Sequence, residues 1–401
     1  MVSFEESMIS LVKSMKDESP FEMLFLDEAQ GRILAEDIIA DHNSPEFPTS
    51  AMDGYAIKCE DQQLGRIRIE GNLPAGSYDK REVVGGFCVK TYTGSLMSKG
   101  TDTLIPIENV TREGDEIVIN ESVDCGFSVR PIGENYYEGE ILIAKGSKID
   151  FAEIGVLASL NIPQVKVYSK PRVAVLSTGS EILDVGEKQT NPSQIRSSNQ
   201  FTLHALSKKA GADVVRFPLV KDNKDSIRKA INEALQVSDI VVTTGGVSVG
   251  DYDFVKEILG DLEAKYLVDG VILKPGQHIK IVKIGKKYIF ALPGFPYSST
   301  VTFILYVIPL IRYMMGLDST LPIKSAKLIQ SYKKRSKKTE FTMGNLSYEG
   351  AEYKIDFQSK KSGTSAILTN MLGNSVLVGL SEDCGDLEIG DSIDFIDLSS
   401  L

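Results

Sequence analysis

The chain has 401 residues with 42% hydrophobic and 25% charged content, which is typical of a globular protein of about two to four domains. Its net charge of −11 argues against a general nucleic-acid binder or a membrane-surface protein, so local donors would have to hold any anionic ligand. The most apolar stretch, residues 301–310, is too short to cross a bilayer, and nothing at the N-terminus resembles a signal peptide. We therefore expect a cytoplasmic protein.

Cysteine and histidine give little support for a redox or metal centre. The four cysteines show neither a Cys-x-x-Cys pair nor a Cys/His ligand spacing, so we expect buried or free thiols. They are Cys59, Cys88, Cys125 and Cys384. The presence of only three histidines argues against a histidine-rich metal site.

The N-terminal part of the chain alternates between helical and strand patterns. Residues 4–16 predict an amphipathic helix, and residues 26–40 predict a helix that turns into a strand. Short alternating strands with glycine turns then predict an all-β module, after which a helical pattern returns at residues 150–161. We predict that residues 1–45 and 140–170 form one discontinuous domain, with a β domain inserted at 46–139.

The second half begins with alternating strands and helices. This alternation predicts βαβ units on a mainly parallel sheet, a three-layer α/β domain over residues 171–317. Residues 318–401 return to short strands and predict a C-terminal β-barrel-like domain, which makes the whole chain an α/β multidomain protein. A basic run at its start is interpreted as a solvated face; its members are Lys333, Lys334, Arg335, Lys337 and Lys338.

Ligands of such a sheet bind at the carboxyl ends of the strands. This rule places residues 177–181, 221–222, 243–253 and 292–296 on a common rim. The stretch 238–259 reads as strand, glycine loop and helix start, an arrangement that aims backbone N–H groups at a phosphate. The carboxylate of Asp253 would repel that phosphate unless a divalent cation bridged the two. The alternative is a tight βα turn with helix-capping aspartates.

Four separated motifs carry a family resemblance. They are SAMDGYA (50–56), LSTGSEI (176–182), TTGGVSVGDYDF (243–254), and KPGQ (274–277) with LPGFP (292–296). Together they resemble the molybdopterin molybdenumtransferases, namely the bacterial MoeA proteins and the E domain of gephyrin. The resemblance covers nearly the whole chain.

The resemblance implies an activity and an assembly. The expected reaction inserts molybdenum from molybdate into adenylylated molybdopterin, with release of AMP and participation of Mg²⁺. The expected assembly is a homodimer that joins through the discontinuous N-terminal domain and shares its active cleft. The molybdopterin adenylyltransferase and apo-molybdoenzymes are expected as further partners, and neither nucleic acid nor a membrane is expected.

The same resemblance assigns residues to roles. The expected catalytic residues are Asp53, Glu181, Asp222, Asp253 and Lys274, and of these Glu181 and Asp253 are the expected metal ligands. The expected substrate-binding residues are Thr93, Arg130, Thr178, Gly179, Gly245, Gly246, Ser248, Pro293, Gly294, Pro296 and Ser365.

Several assignments have a structural alternative. Thr93 could be a strand-end hydroxyl at the Gly94 turn, and the loop with Ser365 could be a flexible linker. Asp53 could hold an Asx-turn at Gly54, and Glu181 could be a first-turn acid favoured by the helix dipole. For Asp222 the helix N-cap is the stronger interpretation. Lys274 could be a solvent-facing lysine before a Pro-Gly turn.

The motifs also depart from the family pattern at several positions. The residues found there are Asn135, Ser180, Ser197, Gln277 and Phe295. These changes alter polar contacts and leave room for another oxyanion, including tungstate. Two further functions stay open, an adenylyltransferase that makes the activated pterin and a scaffold that binds peptides.

Overall fold

The structure is a computed structural model that describes residues 1–17, 19–78, 82–246, 254–262, 264–361 and 365–401. Its α-helices are α1 (Phe4–Ser14), α2 (Phe151–Ser159), α3 (Asn199–Lys209), α4 (Lys224–Val237), α5 (Phe254–Asp261), α6 (Pro296–Thr302) and α7 (Ile308–Met314). A π-helical turn, Phe303–Val307, joins α6 to α7.

The strands of the first 170 residues are β1 (Phe21–Phe25), β2 (Ile38–Ile39), β3 (Thr49–Ser50), β4 (Gly54–Ile57), β5 (Arg66–Leu73), β6 (Phe87–Thr91), β7 (Thr103–Pro106), β8 (Val110–Glu113), β9 (Glu116–Ile119), β10 (Val129–Arg130), β11 (Ile141–Ile143) and β12 (Gln164–Tyr168). The later strands are β13 (Arg172–Ser177), β14 (Ile182–Leu183), β15 (Ile195–Arg196), β16 (Asp213–Arg216), β17 (Ile240–Thr244), β18 (Lys265–Asp269), β19 (Leu273–Lys274), β20 (Lys280–Ile284), β21 (Lys287–Leu292), β22 (Ile323–Leu328), β23 (Thr339–Glu349), β24 (Glu352–Asp356), β25 (Ser375–Leu380) and β26 (Ser392–Ile396).

The chain divides into two compact units. The first unit contains Met1–Glu22 and Val167–Leu401, and the second contains Met23–Lys166. The predicted N-terminal helix is α1, and it buries Leu11 and Met15 in the core of the first unit. The finer division into four domains stays a prediction.

The second unit is built on a six-stranded sheet with the order β7-β4-β6-β5-β9-β8. Its core includes Tyr55, Ile67 and Ile117. The sequence predicts a helix that turns into a strand over residues 26–40. The helix is wrong, because the segment begins with one 3₁₀ turn, Leu26–Glu28, whereas the strand is confirmed as the short β2. Gly31 has a φ of +79°, which ends helical geometry.

Two cysteines of this unit form a disulfide, which corrects the expectation of free thiols. Cys59 is bonded to Cys125 across 66 residues of sequence, with their Cα atoms 5.3 Å apart. Cys88 and Cys384 are free, as expected. The sequence could not reveal the bond because the two cysteines lie 66 residues apart, one in the 3₁₀ turn Cys59–Leu64 and the other in the loop between β9 and β10.

The first unit contains a six-stranded α/β sheet with the order β16-β13-β17-β21-β20-β18. The first four strands are parallel, and β20 and β18 run antiparallel at one side. Both faces are covered: Val175 packs in the cluster with α1, α3 and the 296–314 helical segment, whereas Leu176 packs with α4 and α5. This double burial explains why the strands read as continuous apolar runs, and it confirms the predicted α/β sheet.

The C-terminal strands close into a barrel. The pairing runs β23-β24-β22-β26-β25 and returns from β25 to β23, so the ring is complete. β19 of the α/β part joins β23 from outside as a parallel neighbour. The predicted β-barrel region is thereby confirmed. Within the described residues, none of the helices combines the length and apolar character needed to span a bilayer.

Candidate functional site

The carboxyl ends of three parallel strands meet at one edge of the α/β sheet. β13 ends at Ser177, β17 at Thr244 and β21 at Leu292, and the register pairs Ser177 with Thr244 and Thr244 with Leu292. A cavity of about 890 Å³ lies at this edge, and residues of the barrel complete its wall. Parallel sheets place ligands at this edge, so the cavity is the candidate site.

The cavity gathers most of the first-unit residues that the sequence singled out. Those lining it are Thr178, Gly179, Glu181, Asp222, Gly245, Gly246, Lys274, Pro293, Gly294, Pro296 and Ser365. Ser197, Gln277 and Phe295, where the motifs depart from the family pattern, line it as well. Ser248 and Asp253 lie outside the described residues.

The two glycine loops fit closely against their neighbours. Gly245 has a φ of +96°, and a Cβ there would lie 2.9 Å from both the carbonyl and the hydroxyl oxygen of Thr178. A Cβ on Gly294 would lie 3.6 Å from the Cα of Gly245. Glycine is therefore required at Gly245 by both conformation and space.

Several N–H groups of these loops are engaged within the protein. Gly245 donates to the carbonyl of Leu292 at 3.2 Å, Thr178 to that of Thr244 at 3.1 Å, and Gly179 to that of Val220 at 3.4 Å. The expectation that N–H donors of the glycine loop hold a phosphate is therefore wrong at Gly245. Among the described residues of this loop, Gly245 therefore provides space rather than a donor.

Asp222 and Glu181 both line the cavity. Burial, and next the negative charge of Glu181, raise the pKa of Asp222. Its Oδ1 atom is buried and has no hydrogen-bond partner among the described residues. The N-cap interpretation of Asp222 is wrong, because the neighbouring Asn223 is the N-cap of α4 and accepts from the N–H of Ser226 at 2.9 Å.

Lys274 is paired with a residue that the sequence did not single out. Its Nζ lies 3.2 Å from Oε2 of Glu340, whose side chain is only 4% exposed. The other oxygen, Oε1, accepts from the hydroxyl of Tyr332 at 2.8 Å. No clear signal in the sequence marks Glu340, because β23 begins with the mixed polar and apolar run Thr339-Glu340-Phe341-Thr342. Burial of the carboxylate is what makes a partner necessary.

Cationic side chains are concentrated around the cavity. Its described lining contains five of them, Arg196, Lys274, Arg335, Lys338 and Lys361, against three carboxylates, Glu181, Asp222 and Glu340. Lys338 donates to Oε1 of Gln277. The basic run is thus not simply a solvated face, because Arg335 and Lys338 belong to the cavity.

Two buried polar side chains near the loops offer unused acceptors. Asn199 donates to the carbonyl of Gly294 at 2.7 Å, but its Oδ1 and the hydroxyl of Ser197 have no partner among the described residues. Ser365 contributes through its backbone, since its carbonyl accepts from the N–H groups of Tyr297 and Ser298 at 3.2 and 3.4 Å. The start of α6 is therefore occupied by a protein carbonyl.

The remaining predicted residues belong to the second unit. Oδ1 of Asp53 accepts from both the N–H and the hydroxyl of Thr93, each at 2.8 Å. The backbone bond first and the hydroxyl bond second lower the pKa of Asp53. Arg130 is paired with Glu134. Asn135 makes a long contact of 3.5 Å with the hydroxyl of Ser44.

The described residues contain no group of three or more His, Cys, Asp or Glu side chains suited to a metal ion. Glu181 and Asp222 are carboxylates of the described part that line the same cavity, and Asp253 lies outside the described residues. The roles of the predicted ligands stay predictions.

Comparison with known families and proteins gives a consistent result. A family model described as the MoeA N-terminal region (domains I and II) matches residues 2–161, and one described as a probable molybdopterin binding domain matches residues 174–313. A molybdopterin molybdenumtransferase of Haemophilus influenzae is 32% identical over 397 residues, 98% of each chain. That of a Nostoc species is 36% identical over 317 residues, 77% of this chain and 72% of the relative.

A solved structure is similar over the same extent. A molybdopterin biosynthesis MoeA protein from Pyrococcus horikoshii matches with a TM-score of 0.87 and 28% sequence identity, over 99% of both chains. A second solved structure, of a molybdopterin biosynthesis MoeA protein from Pyrococcus horikoshii OT3, matches with a TM-score of 0.80 and 27% identity, over 98% of this chain and 99% of the other.

Proposed function

Because the chain belongs to the molybdopterin molybdenumtransferase family, and so transfers molybdenum in molybdenum cofactor biosynthesis, we propose that the cavity of the first unit is where the transfer occurs. The observation that carries this proposal is the charge of its wall. A chain with a net charge of −11 collects five cationic side chains around one cavity. Such a wall suits anionic substrates.

The proposed substrates are molybdate and adenylylated molybdopterin, with AMP as the second product. Both substrates are anions, so bringing them together requires the neutralisation of mutual repulsion. Lys274 and its cationic neighbours would supply that neutralisation. The unpartnered acceptors of Ser197 and Asn199 would bind donor groups of a substrate, because buried acceptors favour hydrogen bonding.

A divalent cation such as Mg²⁺ fits the acidic part of the wall. The unpartnered, buried Oδ1 of Asp222 beside Glu181 is unfavourable unless a positive charge compensates it. Carboxylate oxygens are also the ligands that Mg²⁺ prefers. Glu181 and Asp222 would hold the ion together with Asp253, and the ion would offset phosphate charge.

Catalysis would then depend on positioning and electrostatics. Lys274 would hold an oxyanion through its ammonium group, and the glycine loops would allow the substrate to approach the sheet edge closely. None of the described contacts requires a covalent nucleophile.

The site would be completed by a second copy of the chain. We assign Asp53 and Thr93 of that copy to the shared cleft of a homodimer. The hydrogen bonds between these two residues would hold the carboxylate of Asp53 in one orientation there. A cytoplasmic location, with the adenylyltransferase and apo-molybdoenzymes as partners, belongs to the same proposal.

The test measures AMP release by purified protein supplied with adenylylated molybdopterin, Mg²⁺ and molybdate. We expect AMP release that depends on molybdate, and a loss of about 100-fold in kcat/KM for Lys274→Met. Lys229→Met is the matched control, because that lysine is 78% exposed on α4. Transfer of AMP from a nucleotide to the pterin without molybdate would indicate an adenylyltransferase instead. Inactivity in both assays would favour the remaining function, a scaffold that binds peptides.

A further inference from the structure

Glu340 is a nearly buried carboxylate whose two oxygens are both engaged in the cavity wall. Oε2 pairs with Lys274 and Oε1 accepts from Tyr332. A buried carboxylate with both oxygens bonded has one favoured orientation, because any rotation would leave an oxygen unsatisfied. The carboxylate of Glu340 is therefore held in one orientation, and its partner Lys274 is the more exposed member of the pair, at 36% against 4%.

Strand pairing determines where this carboxylate lies. β19 runs parallel to β23, with Leu273 opposite Thr339 and Lys274 opposite Glu340. On the other side of β23, Glu340 is opposite Leu380 of β25. The backbone of Glu340 is thus held between two strands, one from the α/β part and one from the barrel.

Tyr332 is fixed as well. Its backbone exchanges two hydrogen bonds of 2.9 Å with Leu387, and its ring packs on Phe357 with a centroid distance of 4.4 Å. The hydroxyl that holds Oε1 therefore comes from a rigid part of the barrel. The contact of Tyr332 with Glu340 and that of Glu340 with Lys274 thus connect the barrel to the ammonium group.

We propose that Glu340 is a positioning residue that acts through Lys274, holding its ammonium group in one place for the incoming oxyanion. A free lysine side chain samples many rotamers, and ordering it during the reaction would be unfavourable. Pairing with a fixed carboxylate orders it beforehand. The inference rests on the proposed role of Lys274 and adds a residue that does not itself touch the substrate.

The pair differs in location from a matched ion pair of the same barrel. Lys324 and Asp397 lie 2.7 Å apart with exposures of 37% and 10%, against 36% and 4% for Lys274 and Glu340. Neither Lys324 nor Asp397 lines the cavity, whereas Lys274 and Glu340 do. If the Lys274–Glu340 pair only stabilised the barrel, removing its carboxylate charge would affect stability and activity in the same way as removing that of the Lys324–Asp397 pair.

The test compares Glu340→Gln and Asp397→Asn in the full chain, each by steady-state kinetics and thermal unfolding. Glutamine keeps the shape and a neutral hydrogen bond but loses the charge, so we expect kcat to fall about tenfold. The KM for molybdate should not rise, because the ammonium group loses its competing anion. Asp397→Asn should lower Tm and leave kcat unchanged.

A double-mutant cycle separates action through Lys274 from a general effect. In the Lys274→Met background, Glu340→Gln should cause no further loss of kcat. An equal loss in both backgrounds, or an unchanged kcat for Glu340→Gln alone, would overturn the inference. If Lys274→Met itself had wild-type activity, the proposed function of Lys274 would fail instead, which is a distinguishable result.

Tyr332→Phe provides a second approach should Glu340→Gln fold poorly. It frees Oε1 and leaves the pair with Lys274 in place, so we expect a loss of about threefold in kcat. This loss should also vanish in the Lys274→Met background. Its persistence there would contradict positioning through Lys274.

Discussion

Asp53 and Thr93 form a two-point contact in which one carboxylate oxygen accepts both the backbone N–H and the hydroxyl of the threonine. The two residues belong to separate sequence motifs, and the structure joins them. Oδ1 of Asp53 is bonded to Thr93, 40 residues away in sequence, so the aspartate is held by more than a local turn.

Replacing Thr93 by valine should raise the pKa of Asp53. The hydroxyl donor is lost, while the backbone donor, which is the larger cause of the lowered pKa, remains. The pKa should therefore move towards its ordinary value without reaching it. Carboxyl NMR titration of the full chain measures the change. Thr111→Val is the control, because this exposed threonine of β8 lies in the same unit and its hydroxyl bonds to Asn120 instead. An unchanged pKa of Asp53 in Thr93→Val would contradict the assignment.

Asp222→Asn should stabilise the metal-free protein while reducing activity. Because burial and Glu181 raise the pKa of Asp222 in the folded state, its ionisation opposes folding at neutral pH. We expect a gain of roughly 1 kcal/mol at pH 7. The gain should shrink as the pH falls through the raised pKa of Asp222, and it should disappear well below about 3.9, where the carboxyl is protonated in the unfolded chain as well.

The free energy of unfolding of the wild type and of Asp222→Asn, measured once in EDTA and once in Mg²⁺, checks this prediction. Wild-type protein should gain more stability from Mg²⁺ than Asp222→Asn does, because an ion that binds the folded state stabilises it. An equal gain in the two proteins would remove Asp222 from the proposed metal site.

Gly245→Ala should destabilise the protein by about 1–3 kcal/mol and abolish most of the activity. The added Cβ would meet Thr178 at 2.9 Å in a backbone conformation that L-residues avoid. Gly260→Ala is the matched control, since nothing lies within 4 Å of a Cβ on this glycine in α5. That variant should gain about 0.5–1 kcal/mol. Denaturant unfolding of both proteins distinguishes the two effects.

Thiol titration should detect the disulfide between Cys59 and Cys125. In the native protein we expect one thiol to react rapidly, that of Cys384, because burial raises the pKa of Cys88 to about 12. Unfolding without reductant should expose two thiols, and reduction should expose all four. Removing both Cys59 and Cys125 should lower the free energy of unfolding of the second unit by about 2–4 kcal/mol. Four reactive thiols without reductant would exclude the bond.

Asp397→Asn should lose stability in a pH-dependent way. Burial alone would raise the pKa of Asp397, but the hydrogen bonds from Lys324 and Ser399 outweigh it and lower the pKa to about 2. A lowered pKa stabilises the folded state above the unfolded value, so the wild type should exceed the variant by about 2 kcal/mol at pH 7. The difference should shrink as the pH falls towards 2. A pH series of unfolding curves measures it.

The sequence predicted the α/β sheet and its rim because these depend on short-range patterns. Apolar runs, glycine turns and the first residues of helices are local signals, and they placed Glu181, Asp222 and Gly245 on one edge. The same local approach failed at residues 26–40, where donors bond to distant segments: Ala35 donates to the carbonyl of Lys166. It also failed at Asp222, because the adjacent Asn223 took the capping position.

Contacts between distant segments could not be predicted. Glu340 lies 66 residues from Lys274, and only the pairing of β19 with β23 brings them together. The approach of Lys338 to Gln277 spans 61 residues in the same region. Local periodicity assigns such residues to strands and loops but does not state which strands become neighbours.

The pairing of β19 with β23 also limits how the molecule can be dissected. A cut between α7 and β22, just beyond residue 313 where the second family match ends, would leave the backbone of Leu273 and Lys274 without its strand neighbour. The detached barrel would keep Glu340 as a buried anion without its counter-charge, and Phe4 would lose its ring contact with Phe341. Both fragments would be prone to self-association at the newly exposed edges, so inactivity of either one in isolation would say nothing about its share in the chemistry.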